Sequence, residues 1–214
     1  DIEDKKVDVS CCAYQCFTKD IFWQDSKENS AEVIMGMDMF YNVLKNPSCS
    51  GYVWNKLFKK NIIEQKEPLR FSERITIVED EQFVLEYICR SKNMSLSGKK
   101  MYAYRNNENG AIQKNFTERK LTCIWGREDV WQICNEKECD DKILEIAWNK
   151  LMQVYVYAYR NIIYHNIPNK QYWKNIVKKK FFLYVSLPYK IDETWNWKPK
   201  MIYYFMKYCL KDKN

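Results

Sequence analysis

Nine cysteines are the densest stock of reactive side chains in this 214-residue chain: Cys11, Cys12, Cys16, Cys49, Cys89, Cys123, Cys134, Cys139 and Cys209. Thiols in such numbers cross-link, bind metal or act as nucleophiles. Cys11-Cys12-x3-Cys16 and Cys134-x4-Cys139 bring sulfurs close in sequence. Structural zinc sites favour paired C-x2-C knuckles and histidine, and the chain has no C-x2-C and a single histidine. The expectation is therefore no metal and no cofactor, with the cysteines as disulfide candidates. Eight would pair and the ninth would stay a thiol or bridge to a partner or second copy. Spacing leaves the connectivity open.

Catalytic chemistry finds little else in the sequence. Any Ser-His-Asp or Cys-His arrangement would have to use His165, which lies in "RNIIYHNIPN" with no nucleophile motif beside it. Glu79-Asp80-Glu81 reads as a solvated turn, and Asp140-Asp141 as a helix cap. GxxxxGK[ST], GxGxxG and HExxH are missing, and five glycines leave little for a phosphate-cradling loop. The expectation drawn is a binding protein and not an enzyme.

Two sequons, Asn93-Met94-Ser95 and Asn115-Phe116-Thr117, make Asn93 and Asn115 glycosylation candidates. Together with the cysteine count and a start at Asp1 without Met, they point to a processed chain in the secretory pathway. That means secreted, in the ER lumen or extracellular, or the ectodomain of a trimmed membrane protein. No apolar run is long enough for a membrane span.

The elements that would position these residues read as α+β: a mostly antiparallel sheet in the middle of the chain, three to five helices, disulfide-stabilised. "VDVSCCAYQCF" is a strand pattern. "NSAEVIMGMDMFYNVLKNP" fits a helix capped by Asn29 or Ser30 and stopped before Pro47, although Met35, Met37 and Met39 alternate as in a strand. "GYVWNKLFKKNIIEQ" puts Trp54, Leu57, Phe58 and Ile62 on one helical face. "RITIVEDEQFVLEYICR" reads as two strands around the acidic turn, with Phe83, Leu85, Tyr87 and Cys89 on one face. Asn109-Gly110 signals a hairpin. "LTCIWGREDVWQIC" reads as another, and Asp140 or Asp141 caps a helix over "KILEIAWNKLM". The pentapeptide YAYRN occurs at Tyr102–Asn106 and Tyr157–Asn161, but nothing beyond it aligns at that offset, so both copies read as strands of a Tyr-rich protein and not as a repeat. In "QVYVYAYR" tyrosines alternate with Val154, Val156 and Ala158. A last helix begins near Pro199, with Ile202, Phe205 and Cys209 on one side.

Charge is uneven along the chain. Residues 151–214 carry twelve Lys/Arg against three Asp/Glu and hold sixteen aromatics, whereas the whole chain is only +7. No Gly/Ser/Pro-rich linker precedes this basic third, so residues 1–214 read as one compact domain. Lys178, Lys179 and Lys180 beside Phe181 and Phe182, and Trp195 and Trp197 in "DETWNWKPK", are the partner-binding candidates, since Trp and Tyr bury large area and keep a polar handle. A nucleic-acid surface is the weaker reading, because no ribonucleoprotein motif or zinc-finger spacing accompanies the basic residues.

In style, the many Lys, Asn, Ile and Tyr, the odd cysteine count and the sequons resemble secreted or lumenal glycoproteins of AT-rich large DNA viruses, of poxvirus or roseolovirus type. The resemblance implies a viral protein of host–virus interaction that binds a host immune or cell-surface protein (class I MHC, a cytokine or a chemokine) in immune evasion. The alternatives are a subunit of a viral envelope or entry complex and an intracellular nucleic-acid-binding protein. The resemblance rests on composition alone and carries over no residue.

Overall fold

The computed structural model describes residues 2–3, 6–20, 31–107 and 116–211. They gather into two compact units. The sheet unit takes the chain up to Glu73 and again from Val78 to the middle of the chain. The helical unit takes Arg74–Ile77 and Phe116 onward. Residue 151, where the sequence turns basic, is inside a helix and not at a unit edge.

Among its described residues the sheet unit has four strands, β1 (Val9–Phe17), β2 (Glu32–Met35), β3 (Lys56–Phe58) and β4 (Asn93–Arg105), in the order β2-β4-β1-β3. The two long strands β1 and β4 run parallel, with Val9 opposite Met94 and Tyr14 opposite Tyr102. The short β2 and β3 pair antiparallel on either side. The sheet is therefore mixed, and it is built from the first half of the chain, where a mostly antiparallel one was expected. Gly36, at φ 54, turns the chain from β2 straight into α1 (Met37–Lys45). This explains the conflicting methionine signals: Met35 is strand, while Met37 and Met39 are helix. The proposed caps Asn29 and Ser30, and the Asn109-Gly110 turn, lie outside the described residues.

Two further readings of this unit are corrected. The segment expected to be helical around Trp54 is instead β3 and the single turn α2 (Lys60–Ile63). The segment read as two strands around an acidic turn is one helix, α3 (Glu79–Ile88). Its first turn is Glu79-Asp80-Glu81, where carboxylates face the positive end of the helix dipole. Its buried residues include Phe83, Val84, Tyr87 and Ile88, spaced at helical intervals.

The helical unit holds a 3-10 turn (Glu118–Thr122) and four helices, α4 (Cys123–Glu136), α5 (Asp141–Tyr164), α6 (Lys170–Tyr184) and α7 (Trp197–Cys209). The expected hairpin over residues 121–134 is α4. The second YAYRN lies inside α5, where Tyr155 and Tyr159 are buried one turn apart and Tyr157 faces out. Asp140 caps α5, its Oδ1 accepting from the Ile143 amide at 2.9 Å. Trp148, Leu151, Tyr155, Val177, Phe181 and Met206 form the core. The Tyr155 hydroxyl donates to Glu128 Oε1 at 2.6 Å, and Lys180 pairs with the other oxygen of that carboxylate at 2.5 Å. The final helix turns Tyr203 and Met206 inward, not Phe205 and Cys209.

Among the described residues there are seven helices, more than the three to five expected. The expected disulfide framework is not found either: no disulfide joins the described cysteines. No described helix is long and apolar enough to cross a membrane.

Candidate functional site

The sheet unit gathers five aromatic rings on one side of β1 and β4. Trp54 is the hub. Its ring centroid lies 4.7 Å from Tyr14, 4.8 Å from Tyr52, 4.7 Å from Tyr102 and 4.9 Å from Tyr104. Tyr52 and Tyr102 stack on it, while Tyr14 meets it edge to face. Rings at such separations attract one another through their quadrupoles. The cluster is not sealed: four of its rings are half-buried and Tyr52 is 37% exposed.

The segment carrying Tyr52 and Trp54 is held by the two residues that follow Trp54. Lys56 is buried, and its ammonium donates to the carbonyls of Cys49 (2.5 Å), Ser50 (2.8 Å) and Tyr52 (2.6 Å). Asn55 is also buried, and its Nδ2 donates to the carbonyls of Ser48 (2.8 Å) and Cys12 (2.9 Å). The Cys12 amide returns a bond to the Asn55 carbonyl at 3.1 Å. A buried cation is tolerated here because its three donors all find backbone oxygens.

The same segment abuts the acidic start of α3. Gly51 touches Glu81 so closely that no β-carbon fits between them. Glu81 is only 5% exposed. Asp80 accepts a bond from the Glu81 amide at 2.8 Å. The Tyr52 phenol is pushed up from its ordinary pKa by burial first, then by the charges of Tyr14, Asp80, Tyr104 and Glu81. Two of these acids therefore act on the ring cluster directly. Glu79 is pushed above the usual carboxylate range by burial, with its neighbour Asp80 adding to the effect. Val78, just before them, sits at φ 84, a left-handed conformation that a β-branched residue rarely adopts. Strained backbone of this kind gathers at functional sites.

Of the residues singled out by sequence, Cys11 and Cys49 lie side by side under this segment. Their hydrogen bond, together with burial, pushes the Cys11 thiol up, and the same bond lowers Cys49. Cys134 and Cys139 are likewise joined by a hydrogen bond. Cys16 and Cys209 are exposed. Asn93 opens β4, and its Oδ1 accepts from the Asp8 amide at 3.0 Å. The sequon hydroxyl of Ser95 is buried against Ser10. Asn115 is outside the described residues. His165 ends α5, with Nδ1 at 3.1 Å from the Asn161 carbonyl. Trp195 is core and Trp197 is exposed; Lys180 is tied to Glu128, and Lys178 and Lys179 line a groove of the helical unit. Among the described residues no group of three or more His, Cys, Asp or Glu side chains is placed to hold a metal ion.

The sequence reading missed both halves of this site. Periodicity puts Trp54 on a helical face, and the three acids read as a solvated turn. The available signal was the acidic run ahead of Phe83, Val84, Tyr87 and Ile88, a helix-start pattern.

No protein-family model matches the chain, and no curated protein matches it. Among solved structures it is similar to S. aureus TarS 1-349 in complex with UDP, at 10% identity and a TM-score of 0.50, over 84% of this chain and 48% of that one. TarS in complex with UDP-GlcNAc gives 13% identity and a TM-score of 0.42, over 89% and 63%. The chain thus spans about half the length of the first of these structures. The likeness is one of fold. It corrects the expectation that set enzymes aside, because the fold is shared with a structure that holds UDP.

Proposed function

We propose that the sheet unit is the acceptor side of a glycosyl-transfer site working with a nucleotide-activated sugar. In this reading the aromatic cluster receives the acceptor, since π-faces attract polarised C–H bonds as they attract cations. Asp80, on the side of α3 that acts on Tyr52, takes the proton of the acceptor hydroxyl. That oxygen bonds to the anomeric carbon, the bond from that carbon to the diphosphate breaks, and the nucleoside diphosphate leaves with the electron pair. Glu79 lies beside it, its own carboxyl held above the usual range by burial and by Asp80. The observation carrying this reading is the contact of the acidic start of α3 with the Gly51–Trp54 segment, in a fold like that of the UDP-bound TarS structure.

The test is release of UDP from a panel of UDP-sugars, with and without oligosaccharide and polyol acceptors. Acceptor-stimulated release that falls about 100- to 10,000-fold in Asp80→Asn is the expected result. No stimulated release from any donor, or equal release from wild type and Asp80→Asn, would remove the proposal.

A further inference from the structure

The helical unit turns an apolar stripe to solvent. On α7, Trp197, Met201, Tyr204, Phe205 and Tyr208 are 44–68% exposed. At helical spacing they occupy one stripe about 100° wide. Tyr203 and Met206, which hold α7 in the core, lie away from it. Lys198 borders the stripe on one side, and Lys200 and Lys207 border it on the other. No acidic residue occurs in α7. The lysines run along the rings: Lys198 Nζ is 5.5 Å from the Trp197 ring centre and Lys207 Nζ is 5.6 Å from that of Tyr208. Beside the stripe, α6 and the end of α7 form an open groove of about 770 Å³ lined by Lys178, Lys179, Lys207 and Lys211 with Phe182 and Tyr208, and no carboxylate lines it.

This composition selects its occupant. A stripe made of Trp, Tyr and Met suits the boundary between headgroups and acyl chains, where amphipathic rings reside. Lysines on both borders suit anionic headgroups, with their stems lying along the rings. A second copy of this chain would bring the same lysines against one another. We infer that α7 seats the helical unit on an anionic lipid surface, lying in the plane of the headgroups without crossing them.

The test is sedimentation with vesicles of phosphatidylcholine alone and of phosphatidylcholine mixed equally with phosphatidylglycerol. The chain should pellet with the anionic vesicles only. Trp197→Ala/Tyr208→Ala and Lys198→Glu/Lys200→Glu/Lys207→Glu should each weaken partition at least about tenfold, with circular dichroism unchanged. Brominated lipid should quench tryptophan fluorescence in wild type, and Trp197→Phe should lose that component while still pelleting. Failure to pellet with anionic vesicles would overturn the inference. So would binding that survives the aromatic double variant, which marks plain attraction to a polyanion. So would a wild-type dimer in sedimentation equilibrium that Trp197→Ala dissociates, which would mean that a second copy covers the stripe.

Discussion

Gly51 stands against Glu81 with no space for a side chain: a methyl group on Gly51 would overlap the Glu81 β-carbon and lie 2.6 Å from its α-carbon. Since one of these atoms is backbone, rotation of the Glu81 side chain cannot relieve the clash. Gly51→Ala must push the aromatic segment and the acidic start of α3 apart. The expected cost is about 1–3 kcal/mol in urea unfolding, the range for overpacking. UDP release should fall with it, even where the variant is fully folded. Wild-type stability together with wild-type turnover would show that this approach is not needed.

Lys56 organises the same segment from below. Lys56→Met keeps the length of the stem and removes the ammonium, leaving the carbonyls of Cys49, Ser50 and Tyr52 without their donor. Orphaned buried acceptors make this substitution expensive, about 3 kcal/mol. Lys56→Arg should not rescue it, because a planar fork does not match a point-charge site. Chemical denaturation of both variants measures this directly.

Glu79 gives the site a pH signature. Its folded pKa is raised by burial and by Asp80, so just above its ordinary value of 4.5 the folded state holds the proton more tightly than the unfolded chain does. Stability therefore falls as pH rises through the window that starts near 4.5. Glu79→Gln cannot titrate and should flatten that slope. Urea midpoints between pH 4 and 7 compare the two, and parallel curves would count against a perturbed Glu79.

The strand β1 and the Asp140 cap were legible because each rests on a local signal, a period of two and an Asx side chain ahead of an amphipathic run. The central helices were not. In "QVYVYAYR" the Tyr/Val alternation imitates a strand, yet the segment lies mid-way along a 24-residue helix buried on several sides, where apolar periodicity no longer distinguishes the two. The site was illegible for a different reason. Tyr14, Trp54 and Tyr102 meet only through the parallel pairing of β1 with β4, and the acidic start of α3 meets the aromatic segment only through the close approach of Gly51 to Glu81, which are long-range relations that no spacing in the sequence expresses.

The thiols provide a separate check. With no disulfide among the nine cysteines, the unreduced, unfolded protein should titrate nine thiols. Native protein should show two that react at once, Cys16 and Cys209. Cys123 should stay silent, since burial pushes its pKa up to about 12 and the thiolate is the reactive form. A count below nine before reduction would reveal cross-links and return the chain to a disulfide framework.

Trp195 and Trp197, two residues apart, should behave oppositely. Trp195 is 6% exposed and packs edge-on against Tyr203 at 6.0 Å, whereas Trp197 is 65% exposed. Truncating a buried tryptophan loses its transfer free energy and leaves a cavity, so Trp195→Ala should cost about 3–5 kcal/mol. Trp197→Ala should stay within about 0.5 kcal/mol, as surface substitutions do. The two signals together separate core from surface in the basic third of the chain. A Trp195 variant as stable as wild type would place that ring outside the core, and a strongly destabilised Trp197 variant would remove α7's outward stripe as a surface available to lipid.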